Sequence, residues 1–153
     1  MEFESKLESI YQIELLMKSY CLFFDTKKPA ALSDLFTENA RIDYGPEVPP
    51  VVGKAKLAEM ISAGARDRFE ATNHQICNEI VKFESEVVAD GTSHLYAWHK
   101  YYGSDLIGHL WGGYRYKFLR SESGWLIDEL QLFATGMENF HRDTMHDFRT
   151  ILD

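Results

Sequence analysis

Five side chains in this 153-residue chain have the type and placement to move a proton: His74, Asp25, Tyr20, Tyr44 and His99. His74 stands at the head of a strand-like run that continues to Phe83, and Asp25 follows a long helical pattern that ends near Phe24. A carboxylate bonded to one nitrogen of an imidazole fixes its tautomer and raises the basicity of the other nitrogen. The product is a base able to take a carbon-bound proton near neutral pH. Tyr20, Tyr44 and His99 could then polarise a carbonyl or protonate a departing hydroxyl, and an aromatic wall that excludes water would strengthen each interaction. Taken singly, each residue has a plainer reading. His74 can be a structural histidine, Asp25 a turn residue, and the two tyrosines and His99 core groups with a polar handle. The expectation rests on the set.

These groups must be positioned by elements the sequence outlines. From Phe3 to Phe24, Ile10, Ile13, Met17, Tyr20 and Phe24 recur at helical spacing. The run Asp25-Thr26-Lys27-Lys28-Pro29 breaks that helix, and Pro29 can open a second, short one over 30–36. Ala40–Tyr44 reads as a strand, 45–50 as a proline-rich loop, and Ala55–Ala63 as a third helix. After Ala71 the pattern turns to β, with strands expected at about 74–83, 87–102, 107–120 and 125–135, joined by short turns and hence antiparallel. On the second of these, Ser93, Leu95, Ala97, His99 and Tyr101 share a face that reads as inward. The pair Gly112-Gly113 can mark a bulge, with Trp111 beside it at an entrance. Three helices followed by a long antiparallel sheet predict an α+β domain, with the sheet curved around the first helix as a cone with one open mouth. The domain is expected over 1–136, with 137–153 as a tail and candidate last helix over the mouth.

Composition narrows the function. Apolar residues make up 45% and charged residues 26%, as in a globular soluble protein, and aromatic residues at 14% suit either a core or a pocket for a ring-shaped ligand. A net charge of −8 argues against nucleic acid as a partner. Arg41, Arg115, Lys117 and Arg120 read as solvated strand positions that could also meet an acidic group. No apolar run approaches a membrane span, and the acidic start MEFESKLESI predicts no signal peptide. Two cysteines without metal-type spacing suit a reduced, cytoplasmic setting. The six histidines include no HxxxH pair, so no metal site is expected, and neither a phosphate loop nor a G-x-S-x-G elbow is present.

The order Tyr20-x-x-x-x-Asp25, Leu35-Phe36-Thr37-Glu38-Asn39-Ala40-Arg41-Ile42-Asp43-Tyr44, Val52-Gly53-Lys54, Thr72-x-His74-x-Ile76-x-Asn78, Gly112-Gly113-Tyr114 and Gly124-Trp125-x-Ile127 resembles SnoaL-like domains of the NTF2-like superfamily. Within it the chain looks closest to the scytalone dehydratase and bile-acid 7α-dehydratase branch. By position, Asp25 and His74 match that branch's acid–histidine dyad, His99 and Tyr44 match a second histidine and a tyrosine of scytalone dehydratase, and Tyr20 matches a tyrosine of the bile-acid enzyme. A dehydrochlorinase of the superfamily uses a similar pair. Phe24 stands where scytalone dehydratase has tyrosine, and its polar serine and asparagine fall at Gly112 and Tyr114. The bile-acid branch has an acid near the His99 position. The resemblance implies a conical α+β barrel, no cofactor, base-initiated elimination, and a homo-dimer or homo-trimer through the outer sheet face. Phe24, Asn78, Trp111 and Tyr114 are the expected pocket residues around a fairly apolar cyclic carbonyl substrate. Isomerisation or cyclisation by the same dyad is an alternative, as is a non-catalytic binding or assembly module on the same fold.

Overall fold

The computed structural model describes residues 3–153. Helix α1, Phe3–Asp25, buries Ser9, Ile13, Met17, Tyr20 and Cys21, a stripe at helical spacing pressed into a curved sheet. Its C-terminus closes with the Lys28 N–H donating to the Phe23 carbonyl at 2.9 Å, while Lys27 takes a left-handed conformation (φ 54°) where glycine is usual. The Lys27 ammonium is tied to the Ala65 carbonyl and the Tyr102 hydroxyl, which fixes where α1 ends.

Short α2, Pro29–Ser33, is opened by its proline as expected. Phe36, expected at the end of that helix, instead starts strand β1, Phe36–Asp43. After the two-residue β2, Val51–Val52, helix α3 covers Lys54–Asp67 and runs past its glycine at position 64. Four long strands follow: β3, Phe69–Phe83; β4, Val88–Tyr101; β5, Ile107–Ser121; and β6, Gly124–Glu138. The sheet order is β2-β1-β6-β5-β4-β3, and the sheet is open rather than closed. The β3 to β6 ladder is antiparallel throughout, whereas β1 lies parallel to β6, a long-range pairing that no local turn signals.

The inward face of β4 is the one the alternation predicted, with Ser93, Leu95, Ala97 and His99 all buried. Of five register irregularities in the sheet, three bear on which side chains face the site. One lies between Trp111 and Gly112, beside the expected glycine pair; a Cβ at Gly112 would come within 2.0 Å of the Phe133 carbonyl oxygen. Another, between Lys117 and Phe118, makes Asp128 the extra residue of β6, so Ile127 and Leu130 both face the core. The third falls between Cys77 and Ile80 on β3, with Asn78 in a left-handed conformation (φ 55°).

Residues 139–153 do not form the expected last helix. They hold a two-residue strand, β7 (His146–Asp147), paired parallel to β6, and a 3-10 turn over Phe148–Thr150. Tertiary partners take the backbone groups a helix would have needed. The Asp143 N–H donates to Glu47 Oε1 at 2.7 Å, the Thr144 N–H and hydroxyl donate to the same oxygen, and His146 joins Asp43 at 3.0 Å.

Candidate active site

α1 ends against β3, and this packing brings two residues 49 positions apart into contact. His74 Nδ1 lies 2.6 Å from Asp25 Oδ1. The His74 backbone N–H donates to Asp25 Oδ2 at 2.8 Å, and the Thr72 hydroxyl donates to Oδ1 at 2.8 Å. Thr72 and His74 are two apart on a strand, so they share the face that meets the helix end. Burial pushes the Asp25 carboxyl up, but the His74 ring, its charge, its backbone N–H and the Thr72 hydroxyl outweigh that and hold it below the ordinary carboxylate range. An ionised Asp25 accepts the Nδ1 proton and leaves Nε2 of His74 as the free lone pair. The strand starts at Phe69, five residues before the expected point, so His74 is held within a ladder rather than at a strand mouth.

Around this pair lies a cavity of about 450 Å3 with largely apolar walls. Tyr20, Phe24, Tyr44, His74, His99 and Tyr114 all line it. The Tyr20 and Tyr44 hydroxyls are 2.6 Å apart, and burial pushes both phenols above their ordinary value, so both remain protonated donors. Phe24 packs on the His74 ring with centroids 4.7 Å apart, and His99 meets it edge-on at 5.4 Å. His99 is pushed down to about 3 by burial, then by its neighbour His74. Its imidazole is therefore held in the neutral form near neutral pH. Its Nδ1 is buried without a hydrogen-bond partner.

Two expected pocket residues point elsewhere. The β3 irregularity turns Asn78 to the outer face, where its amide meets the His94 ring at 3.3 Å. Trp111 is 44% exposed and stacks on His109 and Tyr96 across the outer face, because alternation puts it opposite the inward Tyr114. Arg41, Arg115 and Lys117 line a concavity on that outer face together with Asp90, Glu129 and Asp153, and Arg120 lies over the Trp125 ring. None of them reaches the Asp25–His74 cavity.

Residues that sequence reasoning did not assign to the site also line it: Val48 and Pro49 from the proline-rich loop, Met60 and Arg68 from around α3, and Phe140, His141 and Arg142 from the tail. Met60 belonged to the recognised apolar face of α3, and the tail was expected over the mouth, but no local signal marked the proline-rich loop or singled out Phe140, His141 and Arg142.

The chain belongs to the SnoaL-like domain family, whose profile it matches over residues 5–131. Its fold is shared by a provisionally assigned scytalone dehydratase of Novosphingobium aromaticivorans, 23% identical, with 95% of this chain and 97% of that one superposed at a TM-score of 0.88. It is likewise shared by hexachlorocyclohexane dehydrochlorinase LinA-type3 of Novosphingobium barchaimii, 12% identical over 94% and 98% of the two chains, TM-score 0.83. A third similar structure, a protein from Mycobacterium tuberculosis of unknown function, was solved as an Asp-to-Asn variant and is 19% identical over 88% of this chain and 76% of that one, TM-score 0.72. No curated protein matches the chain in sequence.

Proposed function

We propose that this protein is a cofactor-independent lyase of the dehydratase type, acting on a fairly apolar cyclic carbonyl compound with a hydroxyl β to the carbonyl. The observation that supports this most is the 2.6 Å Asp25–His74 bond beside an apolar cavity. His74 Nε2 takes the proton α to the carbonyl. Asp25 holds the ring and stabilises the imidazolium. The Tyr20–Tyr44 pair donates to the carbonyl oxygen, where negative charge develops in the enolate. As the enolate collapses, the β carbon–oxygen bond breaks, and the proton held by His74 leaves with the hydroxide as water. The product is a conjugated enone and the base is regenerated. His99 contributes a neutral ring that can hydrogen-bond the leaving oxygen.

The neutral state of His99 also favours a second reading, isomerisation, in which His74 returns the same proton to another carbon and no leaving group needs an acid. A binding module on this fold is the non-enzymatic rival. We place the protein in a reducing cytoplasmic setting, consistent with two free cysteines, and as a homo-dimer or homo-trimer through the outer sheet face. Among the described residues no helix is long and apolar enough to cross a membrane.

A panel of cyclic β-hydroxy ketones in D2O, followed by NMR and mass spectrometry, tests the reading. Dehydration appears as loss of one water, and isomerisation as a rearranged product of unchanged composition apart from any deuterium exchanged in from solvent. His74→Ala and Asp25→Asn should each lower turnover by about 10²–10⁴-fold. Turnover or exchange that survives both substitutions would sink the proton-abstraction reading.

A further inference from the structure

Two guanidiniums line the cavity from unrelated elements. Arg68 caps the C-terminus of α3, and Arg142 comes from the tail between β6 and β7. Among the described residues neither donates a side-chain hydrogen bond or forms an ion pair. The nearby carboxylates are committed elsewhere. Asp67 is bound by Arg66 at 2.8 and 2.7 Å, Asp25 by His74, and Glu47 by the backbone of Asp143 and Thr144. Arg68 is exposed and Arg142 is partly buried, and both line the cavity without a neutralising carboxylate among the ion pairs of the described residues. They also disfavour each other. Burial and then the Arg68 charge push the partly buried Arg142 guanidinium down from its ordinary value. Solvent screens part of this repulsion at the exposed Arg68, and an anion bound between the two would offset what remains.

We propose that Arg68 and Arg142 form an anion site at the cavity wall, and that the ligand is an apolar ring compound carrying a carboxylate. The proposal rests on reading this cavity as a substrate pocket. A carboxylate fits better than a phosphate, because the described lining residues include no serine, threonine, asparagine or lysine to satisfy further oxygens. Arg142 also lies within electrostatic range of Tyr44. A carboxylate held between the arginines therefore directs the ring toward the tyrosine pair and His74, and sets which end of the substrate meets the base.

The test compares 2-naphthoate with its neutral analogue 2-naphthamide by isothermal titration against the full-length protein. The wild type should bind the carboxylate at least about tenfold more tightly than the amide. That margin should shrink as salt is added and vanish in Arg68→Gln/Arg142→Gln. Arg68→Lys/Arg142→Lys, which keeps both charges, should restore part of it. Equal affinities in the wild type overturn the proposal, as does a preference that survives the double glutamine variant. Absence of binding by either compound overturns it together with the pocket reading. The selectivity is read by binding, so its failure is distinct from a failure of His74→Ala to abolish proton abstraction.

Discussion

Asp25 sits where a helix least favours a carboxylate, at the end that carries the partial negative charge of the macrodipole. Three donors from β3 offset that cost and lock the oxygens toward His74. The same interior keeps His99 and His141 neutral, each pushed down to about 3, in both cases chiefly by burial. Both histidines thus have a folded-state value below their unfolded one. Between about 6.5 and about 3 the unfolded chain binds protons that the folded chain does not. Stability is therefore present above that window and is lost as pH falls through it, by up to about 1.4 kcal/mol per pH unit for each histidine. Urea titrations from pH 7 to 4.5, above the range where Asp25 protonates, should show this decline. His99→Gln should flatten it, and a variant whose stability falls as steeply as the wild type's would show that His99 is not the group responsible.

At the scale of elements, the tail is held down by a strap rather than by helix formation. Glu47 receives three donors from Asp143 and Thr144, Asp43 receives His146, and the segment between these anchors and β6 carries Phe140, His141 and Arg142 to the cavity. Glu47 lies on an exposed loop, so its removal costs the tail its position more than it costs the fold its core. Glu47→Ala should raise the dissociation constant for 2-naphthoate by roughly three- to tenfold while leaving the thermal midpoint nearly unchanged. A midpoint that drops together with affinity would show that the tail is part of the folding core instead.

For the whole molecule, the curved sheet divides the chemistry between two faces. The concave face holds the dyad and the cavity; the convex face carries the ladder of Tyr96, His109 and Trp111, with Trp111 44% exposed. Exposed aromatic surface on a sheet is a common site of subunit contact. Under the proposed homo-oligomer, Trp111→Glu should move the mass measured by light scattering to that of a monomer with the far-UV circular dichroism intact. A wild type already monomeric, or a variant whose mass does not change, would remove this face as the interface.

Local patterning determined much of this protein. The spacing of Ile13, Met17 and Tyr20 marks α1, the alternation from Ser93 to His99 marks the inward face of β4, and the break after Phe24 places Asp25 at a helix end. Those features depend on neighbours within a few residues, which is what a sequence displays. Tertiary structure alone decided the rest. One irregularity on β3 turned Asn78 away from the cavity, and β1 found a parallel partner more than eighty residues downstream in β6. The tail spent its backbone donors on Glu47, and burial pushed the His99 imidazole down from its ordinary value. Arg68, after α3, and Arg142, from the tail, are far apart in the sequence yet line one cavity. Register, burial and long-range charge proximity are properties of the packed chain, and residue order carries no local trace of them.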